Sequence, residues 1–227
     1  MLEAPCLLGC SDKHVVQYEQ RFSLQAEVYS AIQTLFSAAS KEGFDIRIAS
    51  GYRSYQKQRE IWNLKASGAR EVLDDHGKPM VIDSLDDRSL VFAILRWSAL
   101  PGASRHHWGT DFDIYDAAAL GDDGSLSLTV EETEQGGPFY NMYCWLDDYL
   151  RCNTPFFRPY AEDLGGVARE PWHLSYSPLA DVYFRSLSKA SILDFLKLQD
   201  FALKSAVIES FDEIYERFIA NICQRPE

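Results

Sequence analysis

Several features are scarce in this chain, and each scarcity excludes something. Basic residues number 22 against 34 acidic ones, giving a formal net charge of -12, and they form no run. Such a surface repels a phosphate backbone, so nucleic-acid binding is set aside. No apolar stretch approaches the ~20 residues of a membrane-spanning helix. The five cysteines are scattered and include no C-x-x-C pair, which removes support for a cysteine-held metal. Cys6 with Cys10, and Cys144 with Cys152, could pair; buried free thiols are the preferred reading, because cysteine commonly just packs. The N-terminus lacks a basic segment, with Glu3 and Pro5 in its place, and so offers no convincing signal peptide.

What is present suffices for a well-filled core. Apolar residues make up 46% and aromatics 13% of 227 residues, enough for one generous domain, or one with an appendage. Residues 1–18 read as an irregular lead-in. Spacings of three and four from Phe22 through Ala26, Tyr29 and Phe36 predict an amphipathic helix over about 22–40, ended by Gly43. Alternation over 45–49 predicts a half-buried strand. Ser54 is placed to cap a helix over 55–66, with Gly68 after it. Residues 70–85 read as a polar loop with a solvated His76, and a helix over 86–99 stops at Pro101-Gly102.

Further on, 111–115 predicts a short strand, and 117–137 an exposed loop with room for a small hairpin. A helix over 139–150 carries Met142, Trp145, Leu146 and Tyr149 as its apolar stripe. Short strands are expected around 156–160 and 172–176. Three helices follow, over about 179–187, 192–204 and 206–223, forming a tail that covers the sheet or makes an oligomer contact. The oligomeric state itself is not legible.

Two remote stretches carry the chemistry. The first is Ser104-Arg105-His106-His107-Trp108-Gly109-Thr110-Asp111-Phe112-Asp113. The second is Glu170-Pro171-Trp172-His173. On a strand, Asp111, Asp113 and Tyr115 share one face while Phe112 and Ile114 point into the core, so both carboxylates can face a metal. Only one of His106 and His107 can bind directly, since adjacent side chains diverge; the other becomes a hydrogen-bonding neighbour or a substrate contact. With His173, two imidazoles and one carboxylate make a three-ligand zinc site with a position left for water. Glu170 is the natural general base, brought in on a loop because Pro171 keeps it out of the strand ladder. No H-E-x-x-H occurs, which excludes the helical zinc-peptidase arrangement. Arg53, at a strand-to-helix junction, is either aimed into a site or a surface arginine paired with a carboxylate.

With these residues in view, the chain resembles the LAS-type metallopeptidases, the VanY-like D-alanyl-D-alanine carboxypeptidases and their dipeptidase and endopeptidase relatives. The matching blocks are Ser-Gly-Tyr-Arg-Ser with Gln58 at 50–58, Ser-x-His-x-x-Gly-x-x-x-Asp at Ser104, His106, Gly109 and Asp113, and Glu-x-x-His at Glu170 and His173. The resemblance implies His106, Asp113 and His173 as ligands of one zinc ion per chain and Glu170 as catalytic base. It implies that Arg53 stabilises the oxyanion or holds a substrate carboxylate, and that Ser104 and Gln58 line the substrate cleft. His107 and Asp111 are left as neighbours of the ligands. Asp111 departs from the family, which usually has a small residue there.

The fold implied is α+β, a small antiparallel sheet with helices packed on one face and the zinc over the other, plus the C-terminal helical appendage. The expected division is a lead-in at 1–18, a peptidase domain at 19–177 and an extension at 178–227. The function implied is removal of the terminal D-Ala from peptidoglycan stem peptides. L,D-carboxypeptidase, D,D-dipeptidase and endopeptidase action are the alternatives within the family. A non-catalytic zinc-binding module that recognises peptidoglycan or a partner is the alternative of another class. A cell-envelope or periplasmic location follows from the family, while the absent signal peptide leaves the cytoplasm open.

Overall fold

Residues 2–18 are built in rather than irregular. A computed structural model describes residues 2–18, 21–121, 124–152 and 154–225. In it Ala4–Leu7 forms one helical turn (α1) opened by Pro5, whose missing N–H costs nothing there, and it buries Cys6 and Leu7. Val16–Tyr18 (β1) pairs antiparallel with Phe22–Leu24 (β2). The expected start of the first long helix is therefore strand, and that helix (α2) runs Ala26–Lys41. Phe22-Ser23-Leu24 fits either period, and pairing with β1 decides it. All five cysteines are free, but only Cys6 is buried, which corrects the expectation of buried thiols.

The central sheet grows from local patterns that the sequence announces. Ile46–Ser50 (β3) pairs with Asp111–Asp116 (β4), with a register shift between Ile48 and Ser50. Between them lies the helix Tyr55–Ala66 (α3), whose first turn is capped by the Ser54 side chain accepting from the Lys57 N–H. Gly68, at φ +73°, then turns the chain away. Asp87–Leu95 (α4) is capped in the same way by Asp86 and buries Leu90 and Ile94.

After β4 the residues 117–137 form no strand among those described; a short helix, Val130–Thr133 (α5), stands where a hairpin had room. Tyr140–Leu150 (α6) buries Met142, Tyr143 and Leu146, while Trp145 stays at the margin. Phe156–Phe157 (β5) and His173–Tyr176 (β6) complete a four-stranded antiparallel sheet in the order β3-β4-β6-β5. Phe112, Ile114 and Leu174 point to one side, where they pack with Val28, Ile32 and Leu35 of α2 and Met142 and Leu146 of α6. The opposite face carries the polar side chains of β4 and β6.

The C-terminal segment continues as Ser177–Ser186 (α7), Lys189–Leu198 (α8), Lys204–Glu209 (α9) and Phe211–Ile214 (α10). The second expected tail helix thus stops at Leu198, with Leu203 at φ +62° beyond it, and the third is broken at Ser210 and by a π-helical turn over Tyr215–Ile219. These helices share a second apolar cluster with α1, α3 and α4, through residues such as Leu7, Trp62, Ile94, Ile192, Val207 and Phe211.

The tail also grips the loop that leads to Glu170. Arg217 donates to the Gly165 carbonyl, Asn221 to that of Leu164, and the Cys223 N–H to that of Pro159. A Cβ at Gly166 would stand 1.8 Å from the Arg217 carbonyl oxygen. Gly166→Ala should therefore cost about 1–3 kcal/mol by overpacking. Calorimetry should show a melting-point drop of roughly 2–4 °C per kcal/mol. An unchanged melting point would mean that the tail does not hold this loop.

Candidate metal centre

Strand register brings the two remote motifs together. Asp113 on β4 lies directly opposite His173 on β6, and Asp111 lies opposite Ser175. Cross-strand partners project to the same face, so these four side chains converge on the side away from the core. Phe112 and Ile114, both fully buried, anchor β4 in the other direction. His106 arrives from a 3₁₀ turn, Arg105–Trp108, which ends at Gly109 with φ +67°. A side chain at Gly109 would strike Val15, so the turn demands glycine for space as well as conformation.

His106, Asp113 and His173 each offer one ligand atom, and these atoms lie within 4.8 Å of one another, all three residues being buried. The tautomers follow from the neighbours. His106 Nδ1 donates to the Gly51 carbonyl at 2.9 Å, which leaves Nε2 facing Asp113 Oδ2 at 3.5 Å. His173 Nε2 donates to Asp111 Oδ1 at 3.0 Å, which leaves Nδ1 facing Asp113 Oδ1 at 3.3 Å and Glu170 Oε2 at 3.4 Å. Asp113 Oδ1 is buried with no hydrogen-bond partner. An orphaned carboxylate oxygen between two outward-turned imidazole nitrogens fits a divalent cation.

The electrostatics point the same way. Burial pushes the His106 pKa down to about 3, so its imidazole stays neutral. Burial also opposes charge on His173, yet Asp111, Asp113 and Glu170 together outweigh it and hold that pKa well above the usual value. Three carboxylates around one imidazole make a site that favours a positive charge at its centre. Burial raises the Glu170 carboxyl above its ordinary range against the pull of His173. That direction suits a base working near neutral pH.

Asp111 shares a face with Asp113 as expected, but its carboxylate meets the Nε2 side of the His173 ring, away from the Nδ1 that faces Asp113. It is fully buried behind His173. Its Oδ1 accepts from Arg105 Nε at 2.7 Å as well as from His173, and its Oδ2 accepts from Thr110 at 2.8 Å and Ser175 at 3.1 Å. Arg105 in turn donates to Ser175 at 2.7 Å and lies over the Trp108 ring. Burial works against ionisation of Asp111, but Arg105 and His173 prevail and hold it below the usual carboxylate range.

His107 likewise turns away. Its Nδ1 donates to the Arg53 carbonyl at 2.6 Å, and its Nε2 accepts from the Gly102 N–H at 3.1 Å. It braces the Arg53 turn rather than the cleft.

Arg53 is not a surface arginine paired with a carboxylate. It donates to Gln58 Oε1 and Ser50 Oγ, both at 2.9 Å, and lines a cleft of about 250 Å³ together with Ser104, His106, Asp113, Glu170 and His173. Ser104 Oγ is buried there without a partner, which leaves it free for a ligand. Gln58 is the correction: it is fully buried, its Nε2 donates to the Ala99 carbonyl, and it is not part of the cleft wall. Its amide holds Arg53. Glu170 sits in a loop, its N–H bonded to the Tyr160 carbonyl, and the strand begins at His173, one residue later than expected.

Sequence reasoning missed Arg105, Ser175, Tyr160, Lys65 and Arg70. Ser175 could have been found, since it is two residues from His173 on one strand face. Tyr160, whose ring meets the His173 ring edge-on at 5.0 Å, carried no local signal.

Comparison with known proteins shows the family. The family model described as VanY, D-alanyl-D-alanine carboxypeptidase, matches residues 21–179, and the chain belongs to that family. An uncharacterised Haemophilus influenzae protein is 42% identical over 98 residues, 41% of this chain and 67% of that one. The D-alanyl-D-alanine carboxypeptidase of Enterococcus faecalis is 30% identical over 160 residues, 69% of this chain and 48% of that one. A vancomycin-resistance D,D-pentapeptidase VanY solved with Zn(II) is similar at a TM-score of 0.52 and 26% identity, over 80% of this chain and 90% of that one. VanYB in complex with D-alanine-D-alanine shares the fold, with a TM-score of 0.53 at 24% identity over 84% of this chain and 91% of that one. No helix among the described residues is long and apolar enough to cross a membrane.

Proposed function

We propose that the chain is a zinc-dependent carboxypeptidase that removes the terminal D-Ala from peptidoglycan stem peptides. The observation that carries this is the company the three ligands keep: a partly buried Glu170 carboxylate 3.4 Å from His173 Nδ1 and the Arg53 guanidinium in the same cleft. A module that only held zinc and a partner would need neither a base nor an oxyanion cation.

His106 Nε2, Asp113 and His173 Nδ1 would hold the zinc, which when bound polarises the scissile carbonyl and lowers the pKa of water. Glu170 accepts the proton of the attacking water and delivers it to the leaving amine. Arg53, its planar fork oriented by Gln58 and Ser50, turns its remaining N–H groups toward the developing oxyanion or the terminal carboxylate. Ser104 Oγ, unpartnered in the cleft wall, supplies a hydrogen bond to the peptide. Burial of Ser104, His106, Asp113 and His173 limits competing water and strengthens these interactions.

The test is product analysis on purified muropeptides by mass spectrometry. The zinc-loaded protein should release D-Ala from pentapeptide stems. Chelation should abolish release, and added zinc should restore it. Release of the D-Ala-D-Ala dipeptide, of D-Ala from tetrapeptide stems, or cleavage within cross-links would assign the bond to one of the family's other specificities. No cleavage by zinc-loaded protein, with undiminished peptide binding in Glu170→Ala, would favour a binding module.

A further inference from the structure

Four cations line the cleft; Arg105 is paired with Asp111, and the other three make no ion pair with a carboxylate among the described residues. Arg53 is held by neutral partners. Lys65 is in the last turn of α3 and only 6% exposed, yet it makes no hydrogen bond or ion pair there. Arg70 is brought alongside by the turn after α3, in which its N–H bonds the Leu64 carbonyl; its guanidinium is also unpaired. A lysine near a helix C-terminus ordinarily reaches into solvent, where the helix dipole favours it. This one is folded into the cleft wall instead.

A lysine packed almost wholly into a cleft wall without a counter-charge is costly, and the cost is relieved when an anion arrives. Burial, and then the Arg70 charge, pull the Lys65 pKa down to about 8, while Glu170 is the acid that offsets them. The chain elsewhere carries a large negative excess. An anionic ligand must therefore be drawn by a local field, and Lys65, Arg70 and Arg53 supply positive charge in the wall of this cleft.

We infer that Lys65 and Arg70 form a carboxylate-binding subsite in the cleft wall, distinct from Arg53, which selects peptides carrying a free acid group. The inference rests on the peptidase reading and deepens it. Stem peptides offer two sources of that chemistry, the terminal carboxylate and the free acid of an interior residue. An interior acid is the favoured source, because Arg53 and Ser104 already stand beside the ligand cluster to meet the terminus.

The experiment uses D-Ala-ended peptides whose interior acidic residue is either a free acid or a carboxamide. Wild type, Lys65→Met, Lys65→Arg and Arg70→Met are compared by kcat/KM. The same pairs are titrated calorimetrically on a Glu170→Gln background, which reads binding without turnover. Wild type should favour the free acid about tenfold, through KM rather than kcat, as one charge-assisted contact provides. Lys65→Met and Arg70→Met should erase that preference, and Lys65→Arg should keep most of it. An equal loss on both peptides would assign the subsite to the terminal carboxylate, the other source of the same chemistry. Unchanged KM and Kd for all peptides in folded Lys65→Met and Arg70→Met would overturn the inference. Absence of hydrolysis by wild type, with the calorimetric preference intact, would sink the peptidase reading and leave the subsite standing.

Discussion

Glu170→Gln should lower kcat by roughly a thousandfold, within the range seen when a general acid-base group is removed. Zinc affinity should stay within a few-fold of wild type. The substitution is nearly isosteric, and the loop that presents the side chain is fixed by its backbone: the Glu170 N–H bonds the Tyr160 carbonyl, and the Glu170 carbonyl accepts from the His173 N–H. The amide can still lie beside His173, but it cannot take a proton from water or pass one on. Steady-state kinetics with a chelator competition on the same samples would separate the two roles. A parallel fall in kcat and in zinc affinity would make Glu170 a ligand, which contradicts the assignment of Asp113 to that place.

The second large effect belongs to Asp111. Its carboxylate bonds Arg105, His173, Ser175 and Thr110 with no exposure to solvent. Arg105 already has one buried nitrogen, Nη1, without a partner. Asp111→Ala would strand that guanidinium in the interior, and breaking a buried pair from one side costs about 3–5 kcal/mol. It would also free His173 Nε2, so the imidazole could turn or change tautomer; loss of such a supporting carboxylate typically costs about 10–100-fold in metal affinity.

The double variant Asp111→Ala with Arg105→Met separates these consequences. Chemical denaturation should show most of the lost stability recovered, because no charge is left buried and unpaired. Zinc affinity should stay low, because His173 still lacks its brace. If the double variant recovered both, Asp111 would act on stability alone.

These two predictions differ in how far the sequence foresaw them. The position of Glu170 was readable because Pro171 marks where the strand cannot yet have begun, which leaves the carboxylate on a loop beside His173. Asp111 was half readable. Alternation placed it correctly on the face of Asp113, but two residues of strand span about 6.6–6.8 Å. That distance carries it past the ligand atom of His173 to the far nitrogen, and which side of the imidazole it meets depends on β6, not on β4.

Elsewhere the same division holds. Ser54 and Gly68 bracket α3 by local rules, so that helix was legible to the residue. Gln58 was misplaced because its position in the motif says nothing of its rotamer; burial against Ala99 and Arg53 settles that. The first eighteen residues looked irregular because a single helical turn and a three-residue strand have too few repeats to show a period. Lys65 gave no sign at all, since a lysine ending a helix is ordinary until tertiary packing buries it.

The central claim is that His106, Asp113 and His173 hold one divalent ion. It is tested most directly by titrating zinc into metal-free protein and recording X-ray absorption at the zinc edge. The account predicts one equivalent bound, with two imidazole nitrogens and an aspartate oxygen among the ligands and no sulfur. It also predicts that His173→Ala and Asp113→Ala each abolish stoichiometric binding. Tight binding that survives both substitutions, or sulfur in the coordination shell, would contradict it.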